Sequence, residues 1–161
     1  MDIFEFAIEK EKQSEKLYRR LAEQAARGEL KSVFNMLADE ERHHCRVVEE
    51  MQTATPKDIC TTDVLAEARE IFRKMRESAQ AFDFDVGLVD AYKQARQFEY
   101  QSRDFYLEKA RQLGTAAQKD IFLKLAEEED KHAVLVDNII ELVTRPELWL
   151  ENPEWFHGEE Y

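Results

Sequence analysis

Apolar and small side chains in the first stretch of the chain fall at Phe4, Ala7, Ser14, Tyr18, Leu21 and Ala25. That alternating three–four spacing predicts a helix from Asp2 to about Arg27 with a single packing seam. One seam position holds Glu11, an acid where a helix bundle wants leucine. Gly28 is expected to break this helix. A second helix is predicted from about Leu30 to Gln52, with Phe34, Leu37, Glu41, His44, Val48 and Met51 on its seam. A carboxylate and an imidazole, groups normally kept out of a core, take two consecutive positions there.

Residues 53–85 read as a crossover. Pro56 marks a loop, and Val64-Leu65, Ala68, Ile71-Phe72, Met75 and Ala79 have the spacing of a helix packed on one side. Asp83 or Asp85 is placed to cap the next helix. That helix is predicted from about Val86 to Leu113 by the seam Tyr92, Ala95, Glu99, Ser102, Tyr106 and Leu113. Gly114-Thr115 supplies the break and the cap. A last helix from Ala116 to Val143 carries Phe122, Leu125, Glu129, His132, Val136, Ile139 and Val143, and Arg145-Pro146 ends it. The tail, 144–161, contains Leu148, Trp149, Leu150, Trp155 and Phe156; so aromatic a segment is expected to cap the bundle or to meet a partner subunit.

The two halves are copies. An offset of 88 residues (41 to 129, 44 to 132) carries Ala7 to Ala95, Glu11 to Glu99, Ser14 to Ser102, Tyr18 to Tyr106, Ala38 to Ala126, Glu41 to Glu129 and His44 to His132 without interruption. Hairpin repeats over about 2–52 and 86–143, joined by a long crossover with a short helix, predict an all-α, ferritin-like four-helix bundle. Internal pseudo-twofold symmetry relates its hairpins, and the whole of 1–161 is expected to be one domain.

Composition narrows the partners. With four Gly, three Pro and 36% charged residues, the chain suits long helices better than a sheet with many turns. A net charge of −12 argues against nucleic acid and anionic membrane surfaces, and no stretch has the length of a membrane span. Cys45 and Cys60 are isolated, with no Cys-x-x-Cys pair, so no thiolate-ligated iron or zinc module is expected. Two lone thiols and an acidic amino terminus without a signal-peptide pattern point to the cytoplasm. Cys45 reads as a packed core thiol, Cys60 as a loop residue and His157 as a surface histidine.

The seam acids and imidazoles carry the chemistry. Three residues along a helix is close to one turn, so Glu41 and His44 share a face, as do Glu129 and His132. With Glu11 and Glu99 they form a constellation of four carboxylates and two imidazoles drawn from four helices. An unpaired ionised carboxylate in a core costs several kcal/mol, and four together repel one another. Two divalent cations offset that charge, each imidazole giving a neutral ring nitrogen. By the symmetry of the repeat, Glu41 and Glu129 bridge the ions, Glu11 and His44 complete one shell, and Glu99 and His132 the other. Oxygen-rich shells with one imidazole each suit iron or manganese better than zinc. The competing account is a hydrated polar network without metal.

Glu40 and His43 also form Glu-x-x-His, but their counterparts are Glu128 and Lys131 and they lie off the seam, so they are expected at the surface. Tyr18 and Tyr106, two turns beyond Glu11 and Glu99, either donate hydrogen bonds to a ligand carboxylate on a neighbouring helix or are ordinary amphipathic core tyrosines. Ser14 and Ser102 leave room beside the terminal carboxylates, for an oxidant or for helix packing alone.

Over residues 4–143 the chain resembles the rubrerythrin branch of the ferritin-like superfamily. The resemblance rests on Ala-x3-Glu-x6-Tyr (Ala7, Glu11, Tyr18; Ala95, Glu99, Tyr106) and Ala-x2-Glu-x2-His (Ala38, Glu41, His44; Ala126, Glu129, His132). It implies a di-iron centre that reduces hydrogen peroxide or reacts with dioxygen in oxidative-stress defence, often in a homodimer. This sequence has no rubredoxin-like cysteine module, so the resemblance implies an external electron donor, a rubredoxin-like protein or a reductase. It also has Ser102 where rubrerythrin proper carries a seventh carboxylate; Glu15 is a candidate substitute. The six remaining ligands equally match bacterioferritin and manganese catalase, which keeps ferroxidase or iron-handling chemistry and manganese-catalase-like chemistry open. Arg42 stands where bacterioferritin has its haem methionine, so no haem is expected. A non-enzymatic adaptor bundle with a vestigial site is the remaining alternative.

Overall fold

The computed structural model describes residues 1–56, 59, 63–78 and 84–147. Ala79, Cys60, Asp83, His157 and the aromatic tail from Leu148 onward lie outside the described residues, so the expectations placed on them are not addressed. Among the described residues five α-helices follow one another: α1 (Ile3–Gln24), α2 (Gly28–Met51), α3 (Val64–Glu77), α4 (Val89–Ala110) and α5 (Ala116–Thr144). A single 3-10 turn, Val86–Leu88, leads into α4. No strand occurs among the described residues.

Local signals start most of these helices. Asp2 and Glu5 close a capping box at α1: Asp2 Oδ1 accepts from the Glu5 N–H at 2.8 Å and the Asp2 N–H donates back to Glu5 Oε2 at 3.3 Å. Asp63 and Thr115 cap α3 and α5 by accepting from the N–H groups of Ala66 and Gln118. Asp85 accepts from the Gly87 N–H and opens the 3-10 turn. Gly28 departs from expectation. The first helix already ends at Gln24, with Ala25 extended, and Gly28 is the first residue of α2. The turn is made by residues 25–27, so no left-handed glycine cap is needed.

Helices α1 and α2 form one hairpin and α4 and α5 the other; the hairpins meet through α1 against α4 and α2 against α5. Helix α3 crosses between them and packs on α2 and α5, burying Val64, Leu65, Ala68, Phe72 and Met75. This is the ferritin-like four-helix bundle expected from the repeat.

The core is split in two. One apolar cluster gathers Leu17, Tyr18, Leu21, Phe34, Tyr92 and Ala95 with the second half of α5 and the buried face of α3. The other gathers Ala7, Ile8, Cys45, Val48, Tyr106, Phe122 and Leu125. On every bundle helix a glutamate falls where the chain passes from one cluster to the other: Glu11 after Ile8, Glu41 after Ala38, Glu99 after Ala95 and Glu129 after Ala126. A polar layer thus crosses the bundle between two dry ones, which exclude water from it and raise the cost of leaving its charges unpaired.

Candidate metal centre

Each of the six seam residues is brought to that layer by a different turn of the bundle, and none is more than 2% exposed. His44 Nδ1 lies 2.8 Å from Glu129 Oε1, 3.8 Å from Glu11 Oε2 and 4.0 Å from Glu41 Oε2. His132 Nδ1 lies 2.8 Å from Glu41 Oε1 and 3.5 Å from Glu99 Oε1. The imidazoles are stacked, their centroids 5.5 Å apart and their planes 7° from parallel. The closest pairs, His44 with Glu129 and His132 with Glu41, join one hairpin to the other, so the layer is built by the repeat as a whole.

Ligand atoms of Glu11, Glu41, His44 and Glu129 all fall within 4.8 Å of one another, and so do those of Glu41, Glu99, Glu129 and His132. The two groups share Glu41 and Glu129. Each has three carboxylates and one imidazole, and they are equivalents under the offset of 88 residues (41 to 129). The Oε2 atoms of Glu11, Glu41, Glu99 and Glu129 are buried with no hydrogen-bond partner. Four orphaned carboxylate oxygens are untenable in a dry core unless cations or protons answer them. The donor set fits two divalent ions: two carboxylates to share, and one carboxylate with one imidazole to terminate each.

Titration directions report the same crowding. Burial, reinforced by the charges of the neighbouring glutamates, drives the Glu41 and Glu129 carboxyls well above the usual range. Burial would raise Glu99 as well, but the imidazole of His132 outweighs it and holds this carboxyl at about 2. His44 is pushed down by burial, whereas at His132 the charge of Glu99 overcomes burial and the shift is upward. The two shared acids are thus the carboxyls that the layer pushes toward the protonated form.

Two tyrosines lock the terminal acids from across the bundle. Tyr18 Oη on α1 donates to Glu99 Oε1 on α4 at 2.6 Å, and Tyr106 Oη on α4 donates to Glu11 Oε1 on α1 at 2.6 Å. Burial and the facing glutamates raise both phenols well above their ordinary value, so both remain O–H donors. In each acceptor it is Oε2 that stays buried without a hydrogen-bond partner. Ser14 and Ser102 are buried within a turn of Glu11 and Glu99. Cys45 is a core thiol: burial and the adjoining Glu49 push it up to about 12, so it carries no thiolate.

The expectation for Glu40 and Glu128 is overturned. Both are buried, at 4% and 9% exposure, and neither belongs to the surface. Glu128 reaches both imidazoles: one of its carboxylate oxygens and a ring nitrogen each of His44 and His132 lie within 4.8 Å of one another. Their identity in both copies was the available signal. His43 and Lys131 are half-buried.

A bundle of two helix hairpins whose mid-layer presents two equivalent sites of three carboxylates and one imidazole, sharing two acids, defines a ferritin-like protein of the dimetal type. The family model described as Rubrerythrin matches residues 2–140, so the chain belongs to the rubrerythrin family. That family is generally one of oxidoreductases with a dimetal centre, usually of iron. No curated protein and no solved structure matches the chain. No described helix is long and apolar enough to cross a membrane.

Proposed function

We propose that the chain is a non-haem di-iron oxidoreductase that reduces hydrogen peroxide, with dioxygen as the slower oxidant, in oxidative-stress defence. The observation that carries this reading is the pair of four-residue groups sharing Glu41 and Glu129. Bound iron would supply the two electrons that cleave the O–O bond. Glu11 with His44, and Glu99 with His132, would hold one ion each, with Glu41 and Glu129 shared between them. Tyr106 and Tyr18 keep Glu11 and Glu99 from rotating, because each already takes a hydrogen bond at Oε1.

Ser14 and Ser102, small and uncharged within a turn of the terminal acids, suit a small neutral oxidant. Reduction of peroxide to two waters consumes two electrons and two protons, so an external donor, a rubredoxin-like protein or a reductase, must return the electrons. We place this activity in the cytoplasm and in a homodimer.

Stopped-flow mixing of the anaerobic ferrous protein with peroxide, and separately with air-saturated buffer, tests the reaction. Oxidation at least about tenfold faster with peroxide, a difference of about 1.4 kcal/mol in barrier, is expected. Equal rates would sink the peroxidase reading.

A further inference from the structure

Glu40 and Glu128 take no part in either four-residue group, yet they are buried. They are equivalents under the same offset of 88 residues (40 to 128), and each stands four residues before a histidine of the layer. A carboxylate oxygen of Glu128 and a ring nitrogen each of His44 and His132 lie within 4.8 Å of one another. The Nδ1 atoms face the four shared and terminal acids, whereas Nε2 of His44 and Nε2 of His132 are buried without a hydrogen-bond partner.

A metal-bound imidazole makes a demand at that second nitrogen. Whichever way the proton lies in the metal-free protein, a ring that gives its Nδ1 lone pair to an ion stays neutral only with its hydrogen on Nε2. Left without an acceptor in a core, that N–H carries its full desolvation penalty. Ligating histidines commonly donate this hydrogen to a carboxylate, which fixes the ring and raises its basicity.

On the dimetal reading above, we propose that Glu40 and Glu128 are positioning residues that accept the Nε2 hydrogens of His44 and His132 and so hold both rings in the ligating tautomer. Lys131 Nζ already donates to Glu128 Oε1 at 3.3 Å, and a carboxylate has lone pairs enough for both donors. The arrangement also explains why two more acids are buried beside four. They serve the far edge of the imidazoles, while the other four serve the near one.

The test is equilibrium binding of Co2+ to metal-free wild type, to Glu40→Leu and Glu128→Leu, and to the corresponding Gln variants, with thermal melting of each metal-free protein alongside. Wild type is expected to bind two ions. Each Leu variant should bind them about 10–100-fold more weakly, with Gln in between because it keeps an acceptor oxygen. Metal-free melting temperatures of the Leu variants should be unchanged or higher, since a buried charge has gone. In the Zn2+-loaded wild type, histidine-selective NMR should show both Nε2 atoms protonated.

Leu variants that bind two ions within about twofold of wild type would overturn the proposal alone. So would a loss of affinity matched by a loss of metal-free stability, or a third Co2+ in wild type that vanishes in the variants. A wild type that binds no pair of ions overturns the dimetal reading and this proposal together.

Discussion

Tyr106 gives the clearest case of one side chain doing two jobs. Its ring packs edge-on against Phe122, at 5.0 Å between centroids, inside the apolar cluster that also holds Ala7, Ile8 and Leu125, while its hydroxyl crosses to Glu11. Replacing it with Phe keeps the ring and removes only the donor, leaving Glu11 Oε1 buried and unanswered. Tyr106→Phe is therefore expected to destabilise the metal-free protein by about 1–3 kcal/mol in urea unfolding. A change below about 0.5 kcal/mol would mean that the bond is not a stabilising one. Tyr18→Phe should behave alike, because Glu99 depends on it in the same way.

At this scale the six seam residues stood out in the sequence because charge on an apolar stripe is physically costly and here occurs at matched positions in two copies. Glu40 and Glu128 did not stand out. Helical periodicity ranks positions by their distance from one stripe, and a position beside it can be buried by neighbours that a single-helix pattern does not contain.

Helix α3 packs on one helix of each hairpin, α2 and α5. Phe72 near its centre is fully buried and belongs to the same apolar cluster as Leu17, Phe34 and the second half of α5. Phe72→Ala should cost about 3–5 kcal/mol in denaturant unfolding while leaving two metal ions bound per chain under saturating conditions. If stability were unchanged, α3 would be an accessory strap with no share in the core. The spacing of Leu65, Ala68, Phe72 and Met75 revealed this helix and its apolar face before the structure did. Its partners were not legible, since periodicity says that a face is covered and not by what. Helix ends were read less well at Gly28: a glycine after a seam suggests a stop, but here the extended Ala25 makes the stop and glycine merely opens the next helix.

For the whole molecule, the decisive property is an acidic layer between two dry clusters. Glu41 and Glu129 have carboxyls raised above the ordinary 4.5 in the folded, metal-free protein. A raised acid binds its proton more tightly folded than unfolded. Its stabilising contribution is therefore complete below 4.5 and is lost as pH climbs through the raised value. Glu99 runs the other way: held at about 2, it stabilises above 4.5 and loses that contribution only as pH falls toward 2. Metal-free protein should accordingly melt at progressively lower temperature as pH rises from 4.5 through neutrality, whereas the metal-loaded form should show no such decline. Calorimetric scans across that range check it, and parallel curves for the two forms would contradict the assignment. Binding should release protons for the same reason.

All of this rests on the six side chains of the layer holding two neighbouring ions. Anomalous diffraction at the iron edge, from crystals grown without oxygen and loaded with Fe2+, tests that most directly. Two peaks about 3.5–4 Å apart, both within bonding reach of Glu41 and Glu129, one beside Glu11 and His44 and the other beside Glu99 and His132, are the predicted result. A single peak, or none in this layer, would contradict it.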